Sequence, residues 1–329
     1  MIDSISEEIS FDNESFISKA PEDQFIESED NELDLDKLTL SEKNLPVFDS
    51  YEKAKFFKIE NELMNPLLDE FAKKTPFELL LFFFGDICKQ ISEYTNKYIL
   101  EKNITNLNFD PNDILLYLFV YIYLSVYNLP EIWMLWENSI FFKSIIPRIL
   151  SKNKYNLINK YFTISNLTKL EESQKSEKIL PIINFLNIKW KEAYPYTKYL
   201  SIDEAMTSYK GEIYFRQYMK DKHKRFGIKL FSKASADKGY CYHMMLYPGK
   251  NFEFDKKYGI GTSVIKELTK EHLFQNYHFT FDNYFSNLYT FLYLEQNKLN
   301  FTCTFSLNRK ALPQKIKNLN LKKKKIKNF

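Results

Sequence analysis

Long apolar runs with helical spacing follow one another in the chain after residue 50. The segment TPFE (75–78) has the form of a capping box with proline at the first helical position, and it opens the run LLLFFFGDI. Asp113 is placed to cap the next apolar run, and Ser151 to cap KNKYNLINKYF. A last helix is predicted over 179–190. Helices in succession without strand signals predict an all-α unit over roughly 50–195.

Shorter runs with β character begin after Tyr196. The segment Asp237-Lys238-Gly239 supplies a hairpin turn between the second and third of these runs. Three strands followed by two helix–strand units predict three antiparallel strands that crossover connections extend into a mixed α/β sheet. The predicted strands are 199–206, 226–234, 240–247, 277–284 and 300–307, and the predicted helices are 262–273 and 288–297.

The composition of the 329 residues excludes several classes of protein. Only seven glycines occur, without a P-loop or a GxGxxG segment, which argues against a glycine-rich nucleotide-binding fold. The three cysteines form no CxxC pair and the four histidines are scattered, which argues against a structural zinc site and a disulfide-built secreted domain. The acidic start MIDSISEEIS does not resemble a signal peptide.

One uncharged segment, 114–130, is long enough to raise the question of a membrane span. Its tyrosines, the proline at its end and the lack of a flanking cationic cluster favour a buried helix instead. We therefore expect a soluble protein of a reducing compartment, without a membrane partner.

Charge is distributed unevenly along the chain. Residues 1–36 contain 13 acidic residues and one base, so they carry a net charge of −12. Because the whole chain carries +3, the remaining residues carry +15. We predict that 1–50 form an acidic disordered tail, which either solubilises the protein or masks a basic surface. The basic tail 309–329 either serves nuclear import or nucleic-acid binding, or is a charge run created where the reading frame ends early.

Two carboxylates have positions that suggest chemistry. Asp203 lies within the first predicted strand, in SIDE, and Asp282 lies near the end of the fourth, in TFDN. If these strands are neighbours, both carboxylates can meet at one edge of the sheet, where they would be oxygen ligands for Mg²⁺. The period-2 alternation of a strand points Glu204 to the opposite face from Asp203. An acidic residue near a strand end is also a common turn or cap residue, and that alternative stays open.

The residues around these carboxylates resemble piggyBac-type DDE transposases. The stretch SIDEAMTSYKGEIYFRQYMKDKHKRFGIKLFSKA (201–234) resembles the start of the catalytic core of that family, and FTFDNYFSNLYTFLYLEQN (279–297) resembles its second catalytic segment. FTCTFSLNRKALPQKIK (301–317) resembles the next strand. Upstream, TPFELLLFFFGDICKQISEYTNKY (75–98) and LFVYIYLSVYNLPEIWMLW (118–136) resemble the helical region of the family. The resemblance covers about 76–317 in the family's order.

The resemblance implies a ribonuclease H-like catalytic fold behind a helical dimerisation and DNA-binding domain. The corresponding ranges are 51–197 for the helical domain and 198–308 for the portion of the catalytic core. It implies DNA as the partner, a possible homodimer, and Mg²⁺-dependent cleavage and joining of DNA strands. Asp203 and Asp282 take the places of the first and second catalytic, metal-binding aspartates. Nuclear localisation follows, with the cytoplasm as the alternative.

Several departures from the family pattern shape the expected function. The family's third catalytic aspartate and its Cys-rich C-terminal module have no counterpart in the 47 residues after Asp282, and Tyr284 stands where a tryptophan is common. We therefore expect a C-terminally truncated, catalytically inactive, transposase-derived protein. The alternatives are a non-enzymatic remnant that binds DNA or protein, and an active transposase of which this sequence is a part.

Basic residues interleaved with aromatics follow the first predicted strand. Such a patch can hold phosphates while its aromatics contact bases or pack beneath, although a solvated hairpin has the same composition. The candidate DNA-binding residues are Lys210, Arg216, Lys220, Lys222, Lys224, Arg225 and Lys229.

Overall fold

The structure of the chain is a computed structural model. It describes residues 71, 73–127, 129–137, 143–165, 176–220 and 225–306, all of which belong to one compact unit, residues 46–329. The predicted tails, 1–50 and 309–329, lie outside the described residues, as do Lys222 and Lys224.

Helices fill the first part of the described chain, as the apolar pattern predicts, and two more lie between later strands. Short 3₁₀ helices cover Ile132–Trp136, Gly249–Asn251 and Lys270–His272. The α-helices are α1 Pro76–Glu101, α2 Pro111–Val126, α3 Ile146–Ile149, α4 Lys152–Tyr161, α5 Leu180–Ala193, α6 Gly259–Thr269 and α7 Leu288–Gln296.

Side-chain caps fix where α1 and α4 begin. The capping box at α1 forms as predicted, because the Glu78 N–H donates to the Thr75 hydroxyl and the Thr75 N–H to the Glu78 carboxylate. The Lys154 N–H donates to the Ser151 hydroxyl, which confirms the predicted cap of α4.

The predicted cap of α2 was wrong by three residues. Asp110 is the N-cap and accepts the Asp113 N–H at 2.9 Å, while Asp113 reciprocates as the acidic member of a second capping box. Because Pro111 takes the first helical position, the helix begins before the apolar run does.

The uncharged segment 114–130 forms most of α2 and packs into the core of the helical part. Ile114 and Val120 are fully buried there against Ile91 and Ile99 of α1. Among the described residues, no helix combines the length and the apolar character that crossing a membrane requires.

Six strands form one mixed sheet in the described residues. Its order is β4–β3–β1–β5–β6, with β2 beside the first half of β3. β3 is antiparallel to β1, β2 and β4, whereas β5 and β6 are parallel to β1, which confirms the predicted antiparallel strands and crossover units. The strands are β1 Tyr199–Ser208, β2 Arg216–Tyr218, β3 Phe226–Ser235, β4 Cys241–Leu246, β5 His278–Phe281 and β6 Asn300–Cys303.

The two faces of the sheet carry separate apolar clusters. Leu230 and Leu246 pack with Ile183 of α5 on one face, and Phe231 and Phe279 pack with Val264 of α6 on the other. On the first face, the Asn187 side chain of α5 exchanges hydrogen bonds with the Met244 backbone, donating to C=O at 2.9 Å and accepting from N–H at 2.7 Å. The last helix before the sheet is thereby bound to β4.

Candidate metal centre

The register of the central parallel strands determines where the two predicted aspartates lie. Ile202 of β1 pairs with Phe281, the last residue of β5, so Asp203 and Asp282 come next on two adjacent parallel strands. Asp282 therefore follows β5 directly, whereas the sequence placed it inside a strand that ran to 284. The expectation that the two carboxylates meet at one edge of the sheet is confirmed.

A third carboxylate joins them. Asp203, Glu204 and Asp282 each offer an oxygen, and these three atoms all lie within 4.8 Å of one another. By the register of β1, Glu204 lies opposite Phe231 and so on the other face of the strand from Asp203, as the alternation predicts. The expectation that its carboxylate is therefore not near the site is wrong. β5 ends at the level of Ile202, and among the described residues no strand pairs with β1 on that side beyond this point. The Glu204 N–H also donates to Asp203 Oδ1 at 2.7 Å.

Glu204 differs from the two aspartates in its surroundings. Its side chain is 9% exposed and lies 3.4 Å from the ammonium of Lys229, whereas Asp203 and Asp282 face solvent. Burial raises the pKa of Glu204, and although the Lys229 charge opposes this, the neighbouring carboxylates add to it.

The turn after β5 is fixed by hydrogen bonds. The Tyr284 N–H donates to Asp282 Oδ1 at 2.9 Å, and the Ser286 hydroxyl bonds the carbonyls of Asp282 and Thr304. Gly261 of α6 lies against this turn, since a Cβ there would come within 2.8 Å of the Tyr284 carbonyl oxygen. The Asp282 carboxylate is thus oriented by the turn that carries it.

The same turn places Tyr284 over the buried lysine. The Lys229 ammonium lies 4.5 Å from the centre of the Tyr284 ring, 4.9 Å from that of Phe231 and 5.4 Å from that of Tyr247. At these distances the rings attract the cation. Tyr284 therefore shields Lys229.

The donor set fits Mg²⁺ in chemistry and spacing. Carboxylate oxygens are its usual protein ligands, at about 2.1 Å, so opposite ligands of one ion stand about 4.2 Å apart. The oxygens of the cluster lie within 4.8 Å of one another, which is close to that separation. Asp203 and Asp282 are the members of the cluster that are open to solvent.

The basic residues predicted to bind DNA do not all lie on one surface. Lys210, Lys220 and Arg225 are exposed around β2 and the start of β3. Arg216 donates to the carbonyls of Lys210 and Gly211, so it shapes this corner of the sheet. Lys229 is only 8% exposed and is a correction to the prediction, because its ammonium faces Glu204 and not the open surface.

Comparison with known proteins shows the family of the chain. The family model described as Transposase IS4 matches residues 75–328. The human PiggyBac transposable element-derived protein 3 is 29% identical over 223 residues, which are 65% of this chain and 37% of the relative. The chain belongs to the piggyBac-type transposase family.

Two further piggyBac-type proteins are similar over comparable lengths. The human PiggyBac transposable element-derived protein 2 is 24% identical over 213 residues, 63% of this chain and 36% of its own. A cryo-EM structure of the piggyBac transposase synaptic complex with hairpin DNA shares the fold, with a TM-score of 0.62, 20% identity, and coverage of 75% of this chain and 54% of that one. The chain thus spans little more than a third of the length of these two human relatives.

Proposed function

We propose that this piggyBac-type protein is a transposase-derived DNA-binding protein that holds one divalent metal ion between Asp203 and Asp282 on a ribonuclease H-like sheet. The observation that carries the proposal is the cluster of three carboxylates at the ends of neighbouring parallel strands. A bound Mg²⁺ would supply charge stabilisation for phosphoryl transfer. Asp203 and Asp282 would hold the ion, and Glu204 lies behind them with its charge opposed by Lys229.

DNA binding is supported by the basic corner of the sheet. Lys210, Lys220 and Arg225 are exposed in the segments that carry Tyr218 and Phe226, whose side chains are 44% and 43% exposed. Exposed rings beside cations suit both phosphate and base contacts. The corner lies beyond the end of β1, so it is about 17 Å along the strand from Asp203, a distance that one DNA strand can span. The fold is shared with a transposase bound to hairpin DNA.

Reversal of charge at the basic corner should weaken DNA binding. Replacing Lys210, Lys220 and Arg225 together with glutamate removes about three phosphate contacts, so the affinity should fall at least tenfold and the slope of log K against log salt should decrease by about 2–3. Fluorescence anisotropy with a labelled duplex at several salt concentrations measures both quantities.

A matched variant separates this effect from net charge. Lys198, Lys238 and Lys298 are exposed at the opposite end of the sheet. Replacing all three with glutamate changes the total charge by the same amount as the three replacements at the basic corner. We expect this variant to keep most of the affinity. Equal losses in both variants would place the DNA elsewhere on the protein.

We further propose that the 329-residue chain does not cut DNA. Two-metal phosphoryl transfer needs several carboxylates around two ions about 3.5–4 Å apart. In the described part of the chain the cluster offers Asp203 and Asp282, while Glu204 is paired with Lys229. Incubation of the purified chain with Mg²⁺ and a transposon-end duplex should leave the DNA intact on a denaturing gel. Cleavage that disappears in Asp203→Ala would show that a further ligand completes the site.

By the same resemblance, we propose that 51–197 act as the dimerisation and DNA-binding domain and 198–308 as the catalytic-core portion, in a homodimer in the nucleus. Light scattering of the purified chain tests the oligomeric state. A monomeric mass across the micromolar range would contradict the proposed homodimer.

A further inference from the structure

Three exposed aromatic residues lie on adjacent strands at the basic corner of the sheet. Tyr218 of β2 and Phe226 of β3 stand directly opposite each other in the register of these strands, so both rings are on one face, with their centres 4.8 Å apart. Tyr209, directly after β1, donates its N–H to the Phe226 carbonyl at 3.3 Å and extends the row to the end of that strand. The members of this aromatic row, Tyr209, Tyr218 and Phe226, are 40%, 44% and 43% exposed. Large apolar side chains grouped on a surface indicate an interaction site.

Backbone and side-chain contacts hold the aromatic row in place. The Met219 N–H donates to the Arg225 carbonyl at 2.8 Å, which closes the β2–β3 hairpin beside Tyr218 and Phe226. The Arg216 guanidinium lies 5.4 Å from the centre of the Phe226 ring and donates to two carbonyls in the segment after β1. At that distance the cation attracts the ring, so Arg216 is a positioning residue for the row.

Exposed positive charge accompanies each ring. Every residue of the row has a basic neighbour within two positions along the chain, and these neighbours are the exposed residues Lys210, Lys220 and Arg225. Cations attract the phosphates of any nucleic acid. The rings add a second requirement, because a base can stack on them only if its face is free, whereas in a duplex the neighbouring bases cover both faces. Rings and cations together therefore suit an unpaired strand better than a duplex.

We propose that the aromatic row binds an unpaired DNA strand, with bases stacked on Tyr218 and Phe226 and phosphates held by the basic corner. The inference rests on the proposed function, since it names the form of DNA that the basic corner takes. By the alternation of β3, Phe226 is on the same face of the sheet as Ser232, which stands opposite Asp203 of β1. A strand bound at the row therefore lies on the face that carries this carboxylate of the metal centre.

The test is fluorescence anisotropy on the full chain with two labelled probes, oligothymidine as the unpaired strand and a duplex of the same length. Replacing Tyr218 and Phe226 together with valine keeps the strand propensity of both positions and leaves the charge unchanged, but removes the planar rings. We expect the affinity for oligothymidine to fall at least about tenfold, because two stacking contacts are lost, and the affinity for the duplex to stay within about twofold. Equal affinity of this variant and the wild type for oligothymidine would overturn the inference.

A pair of single variants keeps the test decisive if the double variant does not fold. Phe226→Trp should bind oligothymidine at least as tightly as the wild type, because the indole offers a larger stacking face, whereas Phe226→Val should lose affinity severalfold. If both variants lost affinity equally, the ring at this position would not stack on a base, and the proposal would be contradicted.

Two controls separate this inference from the proposed function. Tyr199 is 45% exposed on β1 at the opposite end of the sheet, so Tyr199→Val should leave both affinities within about twofold of the wild type. The glutamate variant of the basic corner should bind both probes more weakly. If it does so while the valine variant of the row matches the wild type, the row serves another partner, such as an apolar protein surface, and DNA binding at the corner stands. If the wild type binds neither probe, both are wrong.

Discussion

Replacing either Asp203 or Asp282 with asparagine should lower the affinity for Mn²⁺ by a factor on the order of 100 or more. Loss of groups that merely support a ligand already costs 10–100-fold in metal affinity, and these variants remove a ligand and its charge. The side-chain amide keeps the size and one oxygen, so the strand ends should remain in place. Isothermal titration with Mn²⁺ measures the affinity, and circular dichroism checks the fold.

A matched aspartate outside the cluster provides the control. Asp255 is exposed in the connection between β4 and α6, where its carboxylate accepts the Lys257 N–H at 2.9 Å. Asp255→Asn should bind Mn²⁺ like the wild type. If Asp203→Asn and Asp282→Asn retained full affinity, the proximity of their carboxylates would reflect only the geometry of the strand ends.

The sequence could predict the two aspartates because strand order and period determine their position. Once β1 and β5 are neighbours and parallel, residues at the same level of both strands must lie together, and Asp203 and Asp282 are at the same level. It could not predict Glu204 at the site. Alternation assigns Glu204 to a face of β1 but does not fix where the carboxylate at the end of this longer side chain lies, and that carboxylate comes within 4.8 Å of those of Asp203 and Asp282.

The sequence predicts Lys229 on the DNA surface because this residue belongs to a basic stretch. In a single strand a lysine among apolar residues indicates neither its partner nor its burial. The pairing of β3 with β1 brings Glu204 within reach, and the turn after β5 adds Tyr284 from a segment 55 residues further along. The residues of this cluster come from several strands, so the residue pattern along any one strand does not predict it.

The strand β2 was missed for a different reason. Its three residues, Arg216–Tyr218, are polar or aromatic and show no alternation, and they pair with the first residues of β3. Gly227 makes this part of β3 possible, because a Cβ there would lie 2.2 Å from the Thr207 carbonyl oxygen of β1. A glycine in the sequence permits such a close approach of two strands, but the glycine alone does not predict that the approach occurs.

A second buried charge cluster lies on the α6 side of the sheet, away from the metal centre. The Lys233 ammonium is 3.0 Å from Nε2 of His272 and 3.4 Å from Glu271, and His243 pairs with Lys233 across the β3–β4 ladder. Burial lowers the pKa of His272 to about 3 and that of His243 to about 4, and the Lys233 charge adds to both shifts. Burial alone would raise the pKa of Glu271, but hydrogen bonds from Lys191 and Tyr196 and the Lys233 charge outweigh it and lower the pKa to about 2.

These shifts predict a protein that loses stability in mild acid. A histidine with a lowered folded-state pKa stabilises the fold above its unfolded pKa near 6.5, and this contribution is lost as pH falls, because the unfolded chain then takes up protons that the folded chain cannot. With two such histidines, the free energy of unfolding should fall by roughly 2–4 kcal/mol between pH 7 and pH 5. Urea unfolding followed by circular dichroism at both pH values measures the change.

Replacing His272 with glutamine should remove about half of that pH dependence, since the amide can still accept from Lys233 but does not titrate. His278→Gln provides the comparison. The ring of His278 is half-buried and hydrogen-bonds Thr302 at the edge of the sheet, away from Lys233. This variant should therefore remove a smaller part of the pH dependence of stability. Equal stability of the wild type at pH 7 and pH 5 would mean that the folded protein accommodates a charged His272 beside Lys233. The buried lysine would then have to release its own proton or move.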